Sequence, residues 1–254
     1  MMQLKRALGL LPLALLLVAW DIAVELKVYP EILLPRPMKV LMVFVEDWST
    51  VLDNAAASIS RVVTGITLSF LVAVPLGLMI GRYKLLDLMT DWSIQIFRSI
   101  PPIALIPLAI LFFGIGDKPA IVLIFLAGLW PLLINTIFGV RGIERTLIKV
   151  ARAARASEGL IMRDIVLPAA LPSIFTGLRL AVGAGWLTVV TSELIAVKSG
   201  LGYMILNAQL TFRSDLIVAG IVVIGAIGLL ADQLVRLTRS YVCRWQEGLT
   251  AHPE

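Results

Sequence analysis

Six stretches of about twenty mostly apolar residues, separated by short charged segments, constrain this chain more than any other feature. They cover residues 8–28, 59–81, 94–115, 119–140, 174–197 and 216–237. A helix rises about 1.5 Å per residue, so each stretch is long enough to cross the hydrocarbon core of a bilayer. In lipid a helix satisfies its backbone N–H and C=O groups internally, which open strands cannot do. The expected fold is therefore all-α: a polytopic membrane protein with about six transmembrane helices, forming one domain over residues 1–254. Only 15% of the residues are charged, against about a quarter in an ordinary soluble domain, and 59% are hydrophobic. Lipid removes the need to cover such a surface with polar groups.

Lys5 and Arg6 ahead of a Leu-rich run resemble the start of a secretory signal. The apolar run is long, however, no A-x-A cleavage site is evident, and Asp21 and Glu25 follow. An uncleaved first helix is the expectation. Basic residues in the connections set the orientation. One side holds thirteen: Lys5 and Arg6; Arg82 and Lys84; six between Arg141 and Arg163; then Arg236, Arg239 and Arg244. The other holds six: Lys27, Arg36, Lys39, Lys118, Lys198 and Arg213. The asymmetry places both termini in the cytoplasm, with the chain multi-pass in the membrane. It also accounts for the net charge of +5 without nucleic acid.

Two connections are long. Residues 29–58 are expected outside, with the apolar segment Met38 to Val45, too short to span, as an interfacial helix. Residues 141–172 form a basic, Ala-rich cytoplasmic loop ending at Leu167-Pro168-Ala169-Ala170-Leu171-Pro172, whose prolines are expected to interrupt the helix before the fifth span. Pro75, Pro101, Pro102, Pro107 and Pro131 fall inside spans, where freed backbone groups need partners in protein or water. Gly77-x-x-x-Gly81 permits close helix packing.

No catalytic constellation is present. Cys243 is the only cysteine and His252 the only histidine, which argues against an internal disulfide, a His/Cys metal centre or a Ser-His-Asp triad. No Gly-rich phosphate loop leads into Lys-Ser/Thr, so the chain is not expected to hydrolyse ATP.

The cytoplasmic loop reads Lys149-Val150-Ala151-Arg152-Ala153-Ala154-Arg155-Ala156-Ser157-Glu158-Gly159, then Ile165-Val166-Leu167-Pro168. It resembles the "EAA" loop of membrane permeases in binding-protein-dependent ABC importers. Aligned on Leu167-Pro168, Ile165 and Ala151 fit the pattern. Lys149 stands where the family has Glu, Val150 where it has Ala, and Arg155 where it has Gly. Further likeness covers nearly the whole chain. It includes Ile32-Leu33-Leu34-Pro35-Arg36-Pro37, Phe97-Arg98-Ser99-Ile100-Pro101-Pro102, Phe113-Gly114-Ile115-Gly116, Phe175-Thr176-Gly177-Leu178-Arg179-Leu180, Ser192-Glu193-Leu194 and Gly200-Leu201-Gly202. The combination is similar to the branch importing taurine and other sulfonates, nitrate or bicarbonate.

That resemblance implies the type I importer permease fold. It also implies a second copy of the chain and an external or periplasmic substrate-binding protein. Two ATP-binding subunits, holding ATP and Mg, would dock on the cytoplasmic loop. The coupling segment would be a short helix made of Ala151, Arg152, Ala153, Ala154, Arg155, Ala156, Ser157, Glu158 and Gly159. Within the spans, Glu193 leads the candidates for path or gate, because an intramembrane charge faces protein or water. Thr191, Ser192, Trp186, Gln95 and Asn135 are candidate wall residues. Arg98 and Arg179, expected near the cytoplasmic interface, are candidates to meet an anion late in passage. The alternative is a stand-alone secondary transporter or channel, which would explain the spans and broken helices but not the basic Leu-Pro loop. A membrane-embedded enzyme ranks third for lack of clustered reactive side chains.

Overall fold

A computed structural model describes residues 2–246 apart from residue 31, with side chains at Pro12 and from Leu15 to Trp245. His252 lies outside the described residues. Eleven α-helices are present among them: α1 Met2–Glu25, α2 Pro37–Glu46, α3 Trp48–Arg82, α4 Lys84–Arg98, α5 Ile106–Phe113, α6 Asp117–Arg141, α7 Arg145–Ala153, α8 Glu158–Ile161, α9 Leu167–Glu193, α10 Leu201–Leu210 and α11 Ser214–Val242. No strand occurs among these residues.

The centre of the bundle is α6, packed between α3 and α9. Its Leu123, Ile124 and Leu132 are fully buried. The α3–α6 contact is close because small residues face it. A Cβ added at Gly77 would lie 2.6 Å from Thr136 Cβ, and one at Gly81 would lie 2.7 Å from Val140 Cβ. The Gly77-x-x-x-Gly81 spacing thus marks a real helix contact. α11 packs on α9, α10 and α2, yet Leu229, Leu230, Leu234 and Leu237 stay exposed along one side. A row of this kind suits lipid and not water.

Among the described residues, four helical segments are long and apolar enough to span alone: Trp48–Arg82, Asp117–Arg141, Glu158–Glu193 and Ser214–Val242. A fifth crossing results if Lys84–Arg98 and Pro102–Phe113 act together, although they meet at 79°. The expected third span, residues 94–115, is therefore not one helix. Pro101 is extended (φ −67°, ψ 131°) and Pro102 has no N–H to continue the ladder, so the chain turns between α4 and a 3₁₀ turn at Pro102–Leu105. The 24-residue α1 falls outside this count.

Two further expectations are corrected. Helix α3 starts at Trp48, so the second span begins well before residue 59 and shortens the connection that holds α2. The prolines at 168 and 172 do not interrupt a helix. Pro168 follows directly on a helical turn and Pro172 lies inside α9, so the helical segment runs on from Glu158 to Glu193. The irregularity is instead a π turn at Met162–Val166 just upstream. Arg213 ties the α10–α11 turn to the α2–α3 junction through Asp47 at 2.7 Å and Asp215 at 2.9 Å. These carboxylates hold its guanidinium above the ordinary arginine range.

Candidate functional site

Glu193 ends α9 completely buried. Such a carboxylate is costly unless every lone pair finds a donor. Here Arg61 Nη1 donates at 2.6 Å, the Ser58 hydroxyl at 2.8 Å and the Gly202 N–H at 2.9 Å. Ser58 in turn accepts from the Leu201 N–H at 2.9 Å. The rest of the Arg61 guanidinium is also engaged. Nε donates to Asp117 at 2.8 Å, Nη1 to the Ser199 carbonyl at 2.9 Å, and Nη2 to the Ser199 hydroxyl. Gly200 sits at φ +106°, and a Cβ there would strike the Glu193 carboxylate and the Arg61 guanidinium. Glycine is required on both counts. The cluster joins α3, the start of α6, the end of α9 and the start of α10. Because α6 begins at Asp117 and ends at Arg141, it lies at the end of the bundle opposite the basic loop.

The other sequence candidates do not converge on it, apart from Ser192. That residue is buried beside Glu193 and bonds the Val189 carbonyl. Thr191 is bonded to the Leu187 carbonyl of its own helix. Trp186 is buried between α9 and α11 and donates to the Ile224 carbonyl at 3.1 Å. Asn135 returns to the Pro131 carbonyl at 2.7 Å and packs beside Gly177 of α9. Gln95 bonds Asp91 on α4, and Arg98 is exposed at the end of that helix. Arg179 pairs with Asp232 of α11, which also receives Arg236 at 3.2 Å. Sequence reasoning left out Arg61, Ser58, Asp117 and Ser199, and also Asn54, whose Oδ1 accepts from the Gly200 N–H at 2.8 Å. Arg61 carried a usable signal, being a charge inside a long apolar helix. The serines carried none.

At the basic end, α7 closes with paired bonds from Ala156 N–H to the Ala151 carbonyl (3.0 Å) and from Arg155 N–H to the Arg152 carbonyl (2.9 Å). This is the Schellman cap, which places its penultimate residue in the left-handed region. Arg155 occupies it at φ +57°. Residues 151–159 are therefore not one short helix. The helix is Arg145–Ala153, followed by a turn, and Ser157 caps α8 by accepting from the Leu160 N–H. Glu158 then accepts from Arg152 of α7 (2.7 Å) and from Arg82 at the end of α3 (2.9 Å). Leu147 and Val150, one turn apart on α7, are exposed.

Among the described residues the chain is a bundle of long apolar helices with one bent pair, the architecture of a polytopic membrane protein. Residues 73–240 match the family described as binding-protein-dependent transport system inner membrane component. The chain is 36% identical over 92% of its length to a putative ABC transporter permease protein of Methanocaldococcus jannaschii, covering 90% of that protein. It is 33% identical to the taurine transport system permease protein of Escherichia coli (92% of this chain, 87% of that one). It is 38% identical to the bicarbonate transport system permease protein of Synechococcus elongatus (78% and 69%). Its fold superimposes on a chain of the inward-facing MetNI methionine ABC transporter with a TM-score of 0.60 at 20% identity, covering 72% of this chain and 94% of that one. The chain belongs to the family of inner-membrane permease components of binding-protein-dependent ABC transport systems.

Proposed function

We propose that this chain is one of two identical permease subunits of an ATP-driven importer for a small anion of the taurine/sulfonate, nitrate or bicarbonate type. The observation that carries the reading is the identity of 33–38% over most of the chain with permeases named for taurine, aliphatic sulfonates and bicarbonate. An external binding protein delivers the anion to the end holding Glu193. Two ATP-binding subunits, holding ATP and Mg, dock at the basic end, which faces the cytoplasm together with both termini.

The exposed Leu147 and Val150 of α7 suit a groove on the ATP-binding subunit. Movement of α7 then passes through Arg152, Glu158 and Arg82 into α3, and through the π turn into α9. Those two helices are clamped together away from the basic end by Arg61, inside α3, and Glu193, at the end of α9, so they move as a pair. The protein supplies passage and coupling, with no covalent chemistry of its own.

Purification of the tagged chain from its own membrane tests the assignment. An ATP-binding subunit should co-purify in stoichiometric amount, and uptake of labelled taurine, nitrate or bicarbonate into vesicles should stop when ATP is withdrawn. Continued uptake without ATP would point to a secondary transporter.

A further inference from the structure

An open cavity of about 590 Å³ lies at the basic end, between the ends of α3 and α6 and helices α4 and α7. Its wall holds six cations: Arg82, Lys84, Arg141, Arg145, Lys149 and Arg152. Two acids answer them. Asp87 pairs with Arg141, and Glu158 is shared by Arg82 and Arg152. Arg82 and Arg141 lie in the last turns of α3 and α6, where cations suit the helix dipole. The same argument works against Lys84 and Arg145, which are the first residues of α4 and α7. Both of those helices lack a side-chain cap, so their first N–H groups add positive potential. Lys84, Arg145 and Lys149 have no ion pair among the described residues. The Nε of Arg82 is buried with no hydrogen-bond partner among them. The remaining wall is apolar: Ile80, Val140, Ile143 and Ile148.

We infer that this cavity binds the phosphate of an anionic phospholipid from the leaflet at the basic end. The cations and free N–H donors take the phosphate oxygens. The apolar wall, at the level where α3 and α6 leave the bilayer, takes the glycerol and the first acyl carbons. This goes beyond the transport reading and does not depend on the transported anion.

The test uses the full chain in detergent, read by native mass spectrometry and by thermal unfolding. Dioleoyl phosphatidylglycerol should be retained and should raise the unfolding temperature, and the phosphatidylcholine of the same chains should not. Lys149→Gln should weaken retention about fivefold, and Lys84→Gln/Arg145→Gln/Lys149→Gln on the order of a hundredfold, as expected for independent cations near a lipid surface. Arg163→Gln removes an exposed charge outside the cavity and should change neither readout. If the triple variant is not monodisperse, the single one decides. Equal effects of the two lipids, or undiminished retention by the variants, would overturn the inference. So would stabilisation by inorganic phosphate alone that matches the lipid, since that assigns a free-anion site. Loss of bound lipid when the ATP-binding subunit is added would assign the cavity to a protein carboxylate and overturn it as well.

Discussion

Arg61 and Glu193, 132 residues apart in sequence, meet at 2.6 Å in a part of the bundle where the Glu193 side chain has no exposure at all. The pair is asymmetric. Arg61 has a second acid in Asp117, whose side chain is 65% exposed, whereas Glu193 has no second base among the described residues. Removing either partner should therefore have unequal consequences.

Arg61→Gln leaves a buried carboxylate without its cation, and this should cost about 3–5 kcal/mol. Glu193→Gln leaves Arg61 with Asp117 and Ser199 and should cost about 1–3 kcal/mol. Thermal unfolding of the purified variants would show the order. Equal losses would mean that the two ends of the pair are equivalent after all. Glu193→Gln with normal stability but no uptake would instead assign Glu193 to the path or gate.

The apolar periodicity announced the all-α membrane fold, because lipid leaves so few alternatives. It also marked α2 as a short apolar helix between the first two spans. The break at residues 99–101 was written in Pro101 and Pro102, yet the hydropathy of residues 94–115 hid it, since hydropathy carries no backbone direction. The Arg61–Glu193 contact was not legible. Each residue stood alone in its span as a costly charge, and nothing local told one of the other. The basic loop was half legible. Its Leu-Pro spacing located it, while the ends of α7 and α9 depended on cap geometry that sequence describes only to within a few residues.

The close approach of α3 to α6 predicts an opposed pair of glycine effects. Gly77→Ala places a Cβ 2.6 Å from Thr136 Cβ and should destabilise the chain by about 1–3 kcal/mol. Gly225→Ala, on α11, meets nothing within 4 Å and should stabilise it by up to about 1 kcal/mol through helix propensity. Unfolding of the two variants under one condition would separate them. A shift of the same sign in both would remove the case for glycine-mediated packing.

The orientation is open to labelling. In a Cys243→Ser background, single cysteines at Lys39 and Arg152 should react with an impermeant reagent from opposite sides of the membrane. The asymmetry of thirteen basic residues against six predicts Lys39 outside and Arg152 inside. Labelling of both from outside intact cells would sink the topology.

The last prediction concerns the cap of α7. Arg155 holds a left-handed conformation at φ +57°, in the position where the family pattern has glycine. An L-residue pays about 1–2 kcal/mol there, and glycine avoids it while losing some entropy of its own. Arg155→Gly should therefore stabilise the chain by about 0.5–1 kcal/mol and leave the Glu158 bridges intact. Arg155→Val should do the reverse, because a β-branched side chain fits the left-handed region worst. If the turn aims α8 so that Glu158 reaches both Arg152 and Arg82, Arg155→Val should also uncouple ATP hydrolysis from uptake. Arg155→Gly should keep the two together. Both substitutions remove the same positive charge, so a difference between them reports on backbone shape alone. Equal uptake and equal unfolding temperatures for the two would mean that the turn plays no part in transmitting movement from α7 to α3.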